Sequence, residues 1–188
     1  MNDIQLDEIR KKVKKHLDKN RYRHTISVMH CAAALAMCYD VDMKKAMLAG
    51  LLHDCAKCIP AKEKFALCRK YKIPVSKVEE ENPSLLHAKI GAVLAKEKYH
   101  ITDKEICHAI EVHTTGCPAM SLLDKIIYIA DFIEPYRFEA PNLPQLRKLA
   151  FTDIDLCLRK MLHDSLEYLY SKKSPVDPMT EKTYLYYK

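Results

Sequence analysis

Glycine is scarce: only three occur in 188 residues, at Gly50, Gly91 and Gly116. Tight β-hairpins depend on residues that tolerate positive φ, so hairpins have little support here and helices are expected to dominate. No apolar stretch approaches the roughly 18 to 20 residues of a bilayer-crossing helix. The opening MNDIQLDEIRKKVKK is charged and amphipathic, without the apolar core of a secretion signal. A cytoplasmic protein with no membrane contact is therefore expected. Paired cysteine motifs are missing as well, since the eight cysteines are scattered and the one CxxC, Cys55 and Cys58, has no second pair to complete a structural zinc site. Cys31, Cys38 and Cys107 sit in apolar helical runs and read as reduced core thiols. No repeat, low-complexity tract or linker divides the chain, so one domain over residues 1–188 is expected.

What is present has a globular balance, 48% apolar and 30% charged residues, with a formal net charge of +6. Much of the positive charge lies between Arg10 and Arg23, which suits an anionic partner. Aromatic side chains are not interleaved there, so a solvated helix face with Ile4, Ile9, Val13 and Leu17 turned inward explains the cluster better than a nucleic-acid patch. Apolar periodicity near 3.6 predicts helices at about 3–18, 22–38, 42–56, 60–71, 84–99, 103–113, 119–132 and 143–171. Asp42, Pro60 and Pro144 stand where helices would begin. Residues 74–84, with Glu79 to Glu81 in series, and 134–143, with Pro135 and Pro141, read as connections, and the tail after Ser174 reads as irregular.

Candidate metal ligands recur along these helices: His24, His53 with Asp54, His87, His113 and Asp131. A His-Asp pair alone means little, because about 0.6 such pairs are expected from composition, and a second pair stands at His163-Asp164. Setting separates the two. Met47, Leu48, Leu51 and Leu52 lead into His53, and Gly50 permits a close backbone approach, whereas Arg159 and Glu167 give His163 a polar face. Asp131 likewise interrupts the apolar run Ile126 to Ile133. A buried carboxylate or imidazole needs a partner, through an arginine, a helix terminus or a metal, and one metal site would serve all of these residues together. His30 and His108 lie about 240° and 140° around their helices from His24 and His113 and cannot share the ligand face, while His16, His100 and His163 read as surface residues.

In order, the motifs are RYRH at 21–24, AGLLHDCAK at 49–57, LLH at 85–87, HTTG at 113–116 and LDKIIYIADFIEPYR at 123–137. This series resembles the YqeK family of HD-domain hydrolases over about residues 21–159. The resemblance implies an all-α helical bundle with a metal site between helices. It also implies symmetrical hydrolysis of diadenosine tetraphosphate to two ADP at an iron site, dinuclear, with manganese or zinc compatible with the same donors. Carried over by position, His24, His53, Asp54 and Asp131 would be metal ligands, with Asp54 bridging. His87 and His113 would hold a second metal or contact phosphate. Lys57, in a helix continuing past Asp54, would place an ammonium beside the phosphates, its alternative being an ordinary exposed lysine. Thr114, Thr115, Phe132 and Arg137 would contact the nucleotide, with helix capping as the competing role for the threonines. The expected chemistry is attack of an activated water on the second phosphorus from one nucleoside, Asp54 and Lys57 assisting and a nucleoside diphosphate leaving. A homodimer is implied by the resemblance alone. Two rivals stay open: another HD-type nucleotide phosphohydrolase, such as a monophosphate phosphatase or cyclic-nucleotide hydrolase, and a non-enzymatic helical module that binds RNA or a protein.

Overall fold

The computed structural model describes residues 3–140 and 142–188, with side chains from Leu6 onward. The expectations for Ile4 and Pro141 fall outside what is described. The described residues form eleven helices and no strand. They are α1 (Asp3–Lys14), α2 (Lys19–Cys38), α3 (Met43–Leu52), α4 (Ala61–Tyr71), α5 (Lys77–Glu81), α6 (His87–Tyr99), α7 (Lys104–Val112), α8 (Leu122–Ile133), α9 (Leu143–Ala150), α10 (Ile154–Ser171) and α11 (Pro178–Tyr187). No described helix is long and apolar enough to cross a membrane.

Short polar side chains start most of these helices by accepting the free N–H groups of the first turn. Asp18, Asp42, Asp103, Asp153 and Asp177 do so for α2, α3, α7, α10 and α11. Ser121 caps α8, and Asp124 bonds back to the Ser121 N–H to complete a capping box.

Helix α8 lies at the centre, with Ile126, Ile127, Ile129 and Ala130 fully buried. Each isoleucine removed from water contributes about 1.5–3 kcal/mol, enough together to offset the several kcal/mol that a buried carboxylate costs nearby. Helices α2, α7 and α10 pack around α8, and α3 lies along α2. That pairing is close because of Gly50: a Cβ there would stand 2.9 Å from Met29 Cα. A smaller apolar cluster of Ala56, Cys68, Leu86 and Ile90 ties α4 to α6.

Several boundaries differ from the expectations. The segment 143–171 is two helices, because Asp153 turns extended and caps α10 after a turn at Phe151. The tail holds α11, begun by Asp177 and Pro178. The polar connection 74–84 contains α5, with a Ser76–Glu79 capping box whose glutamate is buried and paired with Lys89 at 2.8 Å. Helix α3 ends at Leu52 rather than near residue 56, so Lys57 follows a turn instead of a continuing helix. All eight cysteines are free, but Cys38 is exposed, and Cys31 and Cys107 are half-buried. Ile9, Val13 and Leu17 are buried as expected of the inward face of the N-terminal segment.

Candidate metal centre

His53 and His113 stand immediately after the last residues of α3 and α7, where backbone carbonyls lose their helical partners. Each ring turns back on its own helix end: His53 Nδ1–H donates to Gly50 O at 2.7 Å and His113 Nδ1–H to Ile110 O at 2.7 Å. His87, opening α6, does the same in the preceding turn, onto Ser84 O at 2.5 Å. A carbonyl can only accept, so the proton sits on Nδ1 and each Nε2 lone pair points inward. His24 on α2 is held differently, by the buried Glu134 carboxylate at 3.2 Å from its Nδ1.

The inward atoms converge. His53 Nε2 lies 3.3 Å from His24 Nε2, and His87 Nε2 lies 3.1 Å from His113 Nε2. Two unprotonated nitrogens at such distances repel unless a cation lies between or beside them. Carboxylates supply the rest of the shell. Asp131 Oδ1 is 3.0 Å from His24 Nε2. Asp54 divides its oxygens, Oδ1 standing 3.1 Å from His87 Nε2 and Oδ2 3.4 Å from His53 Nε2. Two triads therefore meet the spacing of a coordination shell, His24–His53–Asp131 and His53–Asp54–His113. The donors are imidazole and carboxylate only, because the Cys55 thiol is directed to Gly91 O. Such a set fits a divalent transition metal such as iron, manganese or zinc.

The electrostatics agree with that fit. Burial, helped by the neighbouring His53 and His87, lowers the His113 pKa to about 3. Burial also outweighs Asp54 in lowering His87. Burial would raise both carboxylates, but His53 and His87 hold Asp54 well below the usual carboxylate range, and the hydrogen bond from His24, together with the charge of His53, does the same for Asp131. At neutral pH the carboxylates are ionised and these two imidazoles neutral, the states a metal requires. His53 is the exception, since burial pulls it down but Asp54 lifts it above its ordinary value.

The other expected residues gather around this centre. Lys57 Nζ stands 3.3 Å from His87 Nε2 despite the early end of α3. Arg137 bonds Asp131 O at 3.0 Å and lies over the Phe132 ring, 5.5 Å from its centroid. Thr114, Thr115 and Phe132 line a cavity of about 440 Å³ that reaches His113 and Asp131. His108 instead pairs with Asp124 at 3.0 Å, His16 meets Lys98 at 2.8 Å, and His163 is exposed. None of the three belongs to the cluster.

Three contributors escaped the sequence reading. Arg21 bonds Asp54 Oδ2 at 2.7 Å. Glu134 orients His24. Arg147 donates to Ile133 O, Glu134 O and Arg137 O, each at 2.9 Å, clamping the loop that carries Glu134 and Arg137. Arg21 and Glu134 stand inside the motifs RYRH and EPYR, so their positions were visible although their roles were not.

Comparison with known proteins extends the likeness beyond motifs. The HD domain family model matches residues 21–136. A "Bis(5'-nucleosyl)-tetraphosphatase, symmetrical" of Bacillus subtilis (strain 168) is 40% identical over 172 residues, 92% of this chain and 91% of its own. A protein of the same name from Halalkalibacterium halodurans is 41% identical over the same shares. The crystal structure of a protein from Clostridium acetobutylicum, described as a "predicted HD superfamily hydrolase involved in NAD metabolism", superposes with a TM-score of 0.92 at 38% identity, covering 96% of this chain and 95% of that one. With a likeness that spans both chains almost end to end and a fold that brings the separated motifs together, this chain belongs to the HD domain family and, within it, to the YqeK group.

Proposed function

We infer that this chain is a metal-dependent phosphohydrolase that cleaves diadenosine tetraphosphate, and related dinucleoside polyphosphates, symmetrically into two nucleoside diphosphates. The observation that carries it is the convergence of His24, His53, Asp54, His87, His113 and Asp131 in a chain about 40% identical, nearly throughout, to symmetrical tetraphosphatases. His24, His53 and Asp131 would hold one ion, and His53 or His87 with His113 a second, with Asp54 shared between them. The proposed metal is iron. When bound, such ions lower the pKa of water and neutralise charge on the phosphoryl group under attack.

The chain's own side chains do the remaining work. A nucleoside diphosphate leaves as a stabilised anion, so its departure calls for charge neutralisation more than for a proton. Lys57 and Arg137 stand where they can supply that charge, and Arg21 adds a guanidinium suited to a forked phosphate contact. The Thr114 and Thr115 hydroxyls line the approach to His113. Cys55 is no nucleophile, since burial pushes its thiol up to about 12 and turns it away from the cluster.

We extend the domain over the whole chain, a reading supported by the packing of α11 on α10 and of Thr183 against Gly116. A cytoplasmic homodimer completes the proposal. The decisive experiment is elemental analysis of the purified protein, then incubation with diadenosine tetraphosphate and chromatography of the products. Two ADP per substrate is expected; ATP with AMP, or no turnover, would overturn the assignment.

A further inference from the structure

Two separate recesses open onto the cluster, and they share no lining residue. One, of about 440 Å³, lies between α8, α10 and α11 and reaches His113 and Asp131. The other, of about 640 Å³, lies between the α1–α2 turn and the 134–139 loop and reaches His24. Both volumes fall within the roughly 300–1,000 Å³ of small-molecule sites. Their linings differ in a consistent way. The inner recess offers Tyr128, Phe132 and Met161 beside the hydroxyl groups of Ser165 and Thr180, which suits a base and its ribose. The outer recess offers two guanidinium groups, Arg21 and Arg137, beside Tyr136 and Phe138.

Phe138 is 77% exposed, and Tyr136 is half exposed with Arg23 over its ring at 4.7 Å. An aromatic left standing in water next to paired guanidiniums is the kind of platform on which a nucleobase stacks while its phosphates are held. Arg137, which lines this recess, also keeps a buried Nε–H without an acceptor, so its guanidinium has hydrogen-bonding capacity that the chain itself does not use. Asp18, Glu134 and Glu139 also line the recess. Asp18 already accepts from Arg21 N, and Glu134 from Tyr136 N at 2.7 Å, so two of the three acids are engaged with the chain itself.

We propose that the outer recess is a second nucleoside diphosphate subsite, with Phe138 as its base platform and Arg21 and Arg137 as its phosphate ligands. The cluster would then lie between the two halves of one dinucleoside substrate. This inference rests on the functional reading above and explains why cleavage divides the phosphates evenly: each half has its own seat on either side of the reacting centre.

The test uses the metal-loaded protein as purified, titrated calorimetrically with ADP, the product of the proposed reaction. Two ADP per chain are expected, and Phe138→Ala should weaken one of the two about tenfold, the size of a lost base–aromatic stack, while the other keeps its affinity. Truncating so exposed a ring leaves the core intact. As a second measurement, the preference in kcat/KM for diadenosine tetraphosphate over adenosine 5'-tetraphosphate, which lacks a second nucleoside, should fall about tenfold in F138A. One ADP per chain, or an F138A protein with unchanged titration and unchanged preference, overturns the second subsite while leaving hydrolysis standing. Products other than two ADP overturn the functional reading without altering the ADP count.

Discussion

Asp54 is the side chain on which the most interactions meet, because its two oxygens face different histidines and Arg21 bonds one of them. Asp54→Asn keeps the shape and removes the charge, so metal content and hydrolysis should both collapse with the helical circular dichroism unchanged. Glu134→Gln acts one step further out, through His24, and should weaken metal binding about 10- to 100-fold, as losing a carboxylate behind a ligating imidazole commonly does. Elemental analysis showing E134Q as fully loaded as the parent under limiting metal would remove Glu134 from that role. Thiol chemistry offers an independent check. Burial raises the Cys31, Cys55 and Cys157 thiols to about 12. A raised thiol pKa means the unreactive neutral form persists from acid through neutral pH, and thiolate appears only near the top of the alkaline range. Iodoacetamide at pH 8 should therefore label the exposed Cys38 and Cys58 and spare these three until the protein unfolds; rapid native labelling of Cys55 would contradict its placement. Among the candidate ligands, His53 and Asp131 were legible because each interrupts an apolar run, and His24 through its place in the ordered series of motifs. Arg21 and Glu134 were not, since their partners lie 33 and 110 residues away; Arg21 also sits in a basic stretch that resembles ordinary surface, and Glu134 stands at a helix end beside Pro135, where a turn residue is expected.

Between helices, the tightest constraint is the α2–α3 crossing at Gly50. A methyl group there meets the Met29 backbone, which cannot swing aside as a side chain would. Gly50→Ala should cost about 1–3 kcal/mol in chemical denaturation, the usual range for overpacking. It should also lower metal content, because the crossing sets the separation of His24 and His53. Unchanged stability would mean the helices part without cost. The scarcity of glycine made this position readable. Other elements were hidden for stated reasons. The buried face of Leu146, Ala150, Ile154, Cys157 and Leu158 continues across the break between α9 and α10, so periodicity alone reads one helix. Only the Asp153 cap reveals two. Helix α11 buries Thr180 and Thr183 and little else, leaving no apolar stripe to detect, although Asp177 and Pro178 mark its start. The reach of Lys57 was anticipated, but by way of a helix that in fact stops at Leu52.

Because the candidate ligands come from α2, α8 and the ends or openings of α3, α6 and α7, a bound metal would tie together five of the eleven described helices. An ion present at a thousand times its dissociation constant stabilises the folded state by about 4 kcal/mol. For a chain of 188 residues, each kcal/mol shifts the melting temperature by about 2–4 °C. Stripping the protein with a chelator should thus lower Tm by about 8–16 °C, and restoring ferrous or manganous ion should recover it. A melting curve indifferent to chelation would deny the cluster any ion. The rings of His53, His87 and His113 are each aimed by a carbonyl three residues earlier in their own turn. Their posture is thus complete as soon as those turns form, before any ion arrives. Three of the donors are therefore aimed by local geometry alone, and only His24, Asp54 and Asp131 wait on the docking of distant segments, through Glu134, Arg21 and Arg137, to take their places.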